Sequence, residues 1–213
     1  MTHLKKVKKY VLKDSSILTI MQRINKILLM SFFLSVISVT VTFGQKLAVK
    51  NNLVYDISAT PNLALEMSLG KKTTLELGAG YNPFIFPDNK KVKHWLIQPE
   101  LRLWTCEVFN GHFFGIHGHA AQFNVGGWDL PVGRLEVFKD NRYQGYLYGG
   151  GISYGYQWLL SPRWNFEFNL GGGYARIHFE KYPCTTCGTK LDEGDYNYWG
   201  VTKSAISLIY IIN

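Results

Sequence analysis

Beyond residue 45 the sequence has no uncharged apolar run approaching the ~20 residues that a membrane-crossing helix needs. Helical periodicity is missing there as well, which removes amphipathic-helix architectures and leaves strands to be looked for. A basic surface is also lacking. The formal charge is +8, but residues 1–44 supply +6 of it through Lys5, Lys6, Lys8, Lys9, Lys13, Arg23 and Lys26 against Asp14 alone. The other 169 residues carry 16 basic and 14 acidic side chains, so no nucleic-acid partner is expected.

Catalytic punctuation is equally sparse. There is no GxSxG element, and a triad needs a nucleophile and a base within hydrogen-bond reach, which five histidines (His94, His112, His117, His119, His178) do not establish. His117 and His119 share one strand face, where an interior hydrogen-bonding role is the plainer reading, and Ser153 reads as a small interior residue. The glycine groups at 149–151 and 171–173 precede no helix, so they are not phosphate loops but strand glycines that permit close packing or bends. In PCTTCG, Cys184 and Cys187 make half a structural zinc site that His178 or Asp192 can complete, but the usual second pair is missing. A local disulfide or free thiols suits an exported chain better, and a thioredoxin-like role would need a βαβ context. Cys106 lies in a different turn. No cofactor is expected.

What is present begins with a leader. Basic residues end at Lys26, an uncharged run extends from Ile27 to Phe43, and small residues Thr42 and Gly44 precede Gln45. This is signal-peptide anatomy, with cleavage expected between Gly44 and Gln45 and a second candidate start at Met21. The 17-residue run also meets the lower limit for an uncleaved anchor helix, which is the alternative. No cysteine at the junction marks a lipoprotein. Residues 45–213 then form one domain, whose 15% aromatic content and glycine supply argue against disorder.

Here the pattern has period two. Leu63, Leu65, Met67 and Leu69 alternate with Asn62, Ala64, Glu66 and Ser68; Leu75, Leu77, Ala79 and Tyr81 alternate with Thr74, Glu76, Gly78 and Gly80. In HWLIQPELRLW, Trp95, Ile97, Leu101 and Leu103 oppose His94, Gln98, Glu100 and Arg102. With 47–57, 112–125, 145–160, 164–180 and 199–213, eight strands are predicted, most of them long enough for the ~9–11 residues of a tilted transmembrane strand. Tight turns (70–72, 106–111, 161–163) alternate with long connections (85–93, 128–142, 183–198), the layout of an outer-membrane barrel. The apolar parity then faces lipid, where an Arg near the midplane would cost ~2–4 kcal/mol, and the charged parity faces the lumen. Lys50, Asp56, Glu66, Glu76, Glu100, Arg102 and Glu167 are thereby placed inside. Eight strands enclose only enough room for side chains, so a plugged interior with paired charges is expected rather than a pore. Trp95, Trp104, Trp128, Trp158, Trp164 and Trp199 fall near strand ends and read as interface girdles.

Two features resist this scheme. Pro99 removes a ladder donor inside a strand. Arg176, His178 and Glu180 share the parity of Phe166 and Phe168, so either a bulge at Gly171–Gly173 switches faces or these residues stand above the membrane.

The runs KNNLVYDISATPNLALE, YNP, KHWLIQPELRLW, FNGHFFG, GGGISYGYQWLLS and GGYARI, in order across residues 50–177, resemble a family of short outer-membrane barrel proteins of unknown function from Bacteroidota. The resemblance implies an OmpA- or OmpX-like eight-stranded barrel and brings no catalytic residues. It also implies a surface setting, since some relatives accompany fimbrial or other surface genes. The expectation is therefore an all-β, eight-stranded, antiparallel, up-and-down transmembrane barrel in the outer membrane. Its partners would be outer-membrane lipid, the barrel-assembly machinery and a surface or fimbrial partner reached through loops 128–142 and 183–198. The role expected is structural or interactive and non-enzymatic. The alternatives are a lipid-modifying barrel enzyme and a secreted lipocalin-like barrel, the latter disfavoured because the charged parity carries the small residues suited to a narrow interior.

Overall fold

The computed structural model describes residues 46–87, 90–127, 141–183 and 188–212. Eight antiparallel strands run up and down in sequence order and close into a barrel: β1 (Leu47–Asn52), β2 (Asn62–Ser68), β3 (Thr73–Asn82), β4 (Lys91–Trp104), β5 (Gly111–Gly126), β6 (Arg142–Leu159), β7 (Trp164–Tyr182) and β8 (Asp192–Ile212). The ring closes where Leu47 pairs with Ile212 and Asn52 with Ser207. Among the described residues, no helix is long and apolar enough to cross a membrane.

Two boundaries differ most from the sequence reading. The first strand does not run through 47–57: it stops at Asn52, whose side chain accepts from Val54 N at 3.1 Å and so caps a five-residue helix, α1 (Leu53–Ile57). Asp56 is therefore not inside; it is exposed on α1 and accepts from Asn62 Nδ2 at 2.9 Å. At the other end β8 starts at Asp192, taking residues 192–198 out of the expected loop 183–198, because Asp195 pairs with His178 and Glu193 with Glu180. Ladder hydrogen bonds need no apolar alternation, and DEGDYNY offers none to read.

Burial follows parity. Leu63, Leu65, Leu75, Leu77, Ile97, Leu101, Leu103, Phe114, Ile116 and Ile152 are exposed, whereas the intervening Glu66, Glu76, Gln98, Glu100, Arg102 and Ser153 are buried. Of the tryptophans expected on the outer face, Trp95, Trp158, Trp164 and Trp199 are exposed, whereas Trp104 is not. Trp104 shares the parity of Arg102, is buried, and donates from Nε1 to Thr74 Oγ1 at 2.9 Å. Trp128 lies outside the described residues.

The two resistant features have distinct solutions. Pro99 faces outward, and the β4–β5 register skips Gln98 and Pro99, so its missing N–H falls in a gap of that ladder. In strands β6 and β7 pairing is unbroken through the glycines, so no bulge occurs in β7; the extra residue is Thr202 of β8, since Gly171 pairs with Lys203 and Gly172 with Val201. Arg176, His178 and Glu180 accordingly stay on the outward face.

Near the tight turns an apolar plug fills the interior. Phe109 adopts a left-handed conformation (φ 65°) in the β4–β5 turn and packs with Ala48, Ile209 and Ile211, while Asn165 Nδ2 donates to its carbonyl at 2.9 Å.

Candidate functional site

The charged layer sits directly above that plug. Cross-strand register places Glu66 of β2 opposite Glu76 of β3, and Glu76 opposite Glu100 of β4. Three carboxylates abreast repel one another, so cations must interleave with them. Arg102 meets all four lumen carboxylates: Nε donates to Glu100 at 2.6 Å, Nη1 to Glu66 at 3.0 Å and to Glu167 at 2.8 Å, and Nη2 reaches Glu76 at 2.6 Å. Its guanidinium lies 4.4 Å from the centre of the Phe113 ring. Lys50 Nζ pairs with Glu66, with Glu76 at 2.9 Å and with Glu167 at 2.7 Å.

A third cation completes the set. Lys203 Nζ lies 2.8 Å from both Glu76 and Glu100. The sequence reading passed over it, although Lys203, Ala205 and Ser207 alternate with Ile206, Leu208 and Tyr210 and so carried the same signal. Hydroxyls and an amide cover the remaining lone pairs: Thr74 donates to Glu66, Ser153 to Glu100, and Asn169 Nδ2 to Glu100 Oε2 at 3.3 Å.

The structure thus brings Lys50, Glu66, Glu76, Glu100, Arg102 and Glu167 into one network, each no more than 5% exposed. Glu66, Glu76 and Glu167 offer oxygens within 4.8 Å of one another, a spacing that suits a metal ion. Lys50 and Arg102 both bridge all three, so the protein's own cations already occupy the space between these carboxylates. Above the layer, Tyr55 from α1 and Gln98 help to enclose a cavity of about 40 Å³. That is room for a few water molecules.

Among the described residues the His117 and His119 rings lie 5.9 Å apart on the inward face, while the histidines that form side-chain hydrogen bonds take separate partners. His117 Nε2 shares a hydrogen bond with Thr202 Oγ1 (2.9 Å), His112 Nδ1 one with Tyr154 Oη (2.6 Å), and His178 Nδ1 one with Asp195 (2.9 Å). Asp195 also accepts from Arg176 at 2.8 Å; this bond, and then the one with His178, hold its carboxyl below the usual range. Cys106 is exposed and free, and Cys184 and Cys187, like residues 128–140, lie outside the described residues.

No curated protein and no solved structure matches the chain. A family model does match, over residues 28–212, and it reaches upstream into the uncharged run that precedes Gln45. With eight sequential strands and that span of the chain covered, the protein belongs to the family described as "Protein of unknown function (DUF3575)".

Proposed function

We propose that this protein is a small outer-membrane β-barrel with a plugged, charge-paired lumen, exported by its leader and serving a structural or surface-interaction role rather than an enzymatic one. One observation carries the reading: the polarity of the barrel is inverted relative to a protein surrounded by water. Leucine, isoleucine and phenylalanine cover its exterior while lysine, arginine and glutamate fill its interior. A contiguous apolar belt of this extent is stable in lipid and a liability in water. A lipocalin arranges the two faces the other way round.

Belt height supports the same conclusion. From Trp158 to Tyr146 along β6, strand rise gives about 40 Å, and a tilt of about 40° reduces this to about 30 Å along the barrel axis, close to the ~25 Å apolar band of outer-membrane barrels. Trp158 and Trp164 would mark the interface at the tight-turn end, and Tyr81, Trp95, Tyr146 and Trp199 the other. The rim where β5 gives way to β6 and β7 to β8 is then the part left free to meet a surface partner.

Fractionation tests the reading. The native protein should sediment with outer membranes and require detergent for extraction, and after purification it should show heat-modifiable migration and no steady conductance in planar bilayers. Recovery as a soluble protein without detergent would overturn the membrane assignment, and a persistent wide-pore current would overturn the plug.

A further inference from the structure

Above the apolar belt the outward face changes character, and the strand register aligns two rows across it. Tyr81, Trp95, Gln122, Tyr146 and His178 are successive direct partners from β3 to β7. One step nearer the rim, Lys93, Asn124, Gln144 and Glu180 form the second row. Between the rows runs a floor of backbone that includes Phe123 and Gly145, and the whole encloses a groove of about 480 Å³. Ligand sites typically occupy ~300–1,000 Å³.

The lining combines aromatic rings with amides. Tyr81, Trp95 and Tyr146 are 60%, 38% and 50% exposed, and three side-chain amides stand beside them. The amides are only partly used by one another. Trp95 Nε1 donates to Gln122 Oε1 at 3.1 Å and Gln144 Nε2 to Glu180 at 2.8 Å, but Asn124 Nδ2 reaches Gln144 Oε1 only at 3.5 Å. Asn124 Oδ1 is shielded from solvent and has no donor among the described residues. Lys93 and Glu180 close the second row with opposite charges, so the groove as a whole favours neither an anion nor a cation. Aromatic faces that accept C–H surfaces, beside amides that both donate and accept, suit a neutral polyhydroxylated ligand.

The position of the groove identifies its source. Directly below it on the outer wall lie Ala79, Ile97 and Ala120, then Leu77, Pro99, Gly118 and Gly150. Gly118 and Gly150 present no side chain on this wall, which therefore lies lower than Tyr148 beside it. A ligand with a hydrocarbon tail on this part of the belt carries its headgroup to the level of Trp95.

We propose that the groove binds the sugar headgroup of a glycolipid in the leaflet on the long-loop side, with an acyl chain resting on the recessed wall below. This rests on the membrane reading above. The test uses the full barrel folded in dodecyldimethylamine oxide micelles, with NMR of the Trp95 indole N–H and the side-chain amides of Gln122, Asn124 and Gln144. Dodecyl maltoside, free maltose and dodecylphosphocholine are titrated in separate arms. Saturable shifts of these four groups with dodecyl maltoside, and less than about a tenth of the effect with the other two, are expected. The combined variant Asn124→Leu/Gln144→Leu should weaken the apparent affinity about tenfold, as expected for two lost hydrogen bonds, without changing lumen resonances. Shifts absent with the maltoside, equal in all three arms, saturated by maltose alone, or unchanged in the variant would overturn the proposal. Failure of the membrane reading itself shows earlier and differently, as a protein that folds in buffer with no amphiphile present.

Discussion

Below the level of Thr202, strands β7 and β8 turn Phe168, Leu170, Ile206 and Leu208 outward and Glu167, Asn169, Lys203 and Ser207 inward. Above it the same two strands turn Arg176, His178 and Asp195 outward, and Ile177 and Phe179 occupy the inward parity. The fold is continuous across this level, so the difference lies in what each half is matched to. In the lower half the charged groups lie inside, where seven side chains pair with one another. In the upper half the outside itself is polar. The outward face thus passes from apolar to polar along a single sheet, and Thr202 adds the one residue that lets Val201 face out while Lys203 faces in.

The contrast breaks most severely at its electrostatic centre. Replacing Arg102 by Leu leaves Glu66, Glu76, Glu100 and Glu167 short of their shared partner, and an uncompensated buried charge typically costs ~3–5 kcal/mol. Urea unfolding in lipid vesicles, followed by tryptophan fluorescence, should show that loss or a barrel that no longer folds. Next comes the lipid face. Ile152→Arg, near mid-height on β6 and 70% exposed, should destabilise by ~2–4 kcal/mol in the same assay, whereas in a protein whose belt met water this exchange would be neutral or favourable. Smaller again is the packing between wall and lumen. A side chain at Gly155 would run into the Phe113 ring and the Phe168 carbonyl, so Gly155→Val should cost ~1–3 kcal/mol by overpacking. The upper half should be the most forgiving: Asp195→Asn breaks exposed contacts with Arg176 and His178 and should leave the unfolding midpoint unchanged within error.

Much of this was legible because side-chain parity is a purely local property. Leu101 and Arg102 point to opposite sides whatever their neighbours do, which is why six lumen charges could be named without a structure. What parity lacks is register, so it could not say that Glu66, Glu76 and Glu100 would stand abreast or that one guanidinium would join four carboxylates. Lys203 was missed for a related reason: its inward set continues into Ile209 and Ile211, which look like belt residues until the plug around Phe109 explains them. Trp104 shows the opposite error, where its place at a strand end suggested a girdle although its parity already put it inside. The helix α1 is five residues long, too short for a period to declare itself in the sequence.

The most direct test of the inverted polarity is intermolecular NOE spectroscopy of the methyl-labelled barrel in phospholipid nanodiscs. The account predicts NOEs from acyl-chain methylenes to the methyls of Leu65, Leu101, Ile116 and Ile152, and none to Ala48, Ala205 or Ile209. Outward methyls silent toward the acyl chains, or lumen methyls that contact them, would contradict it.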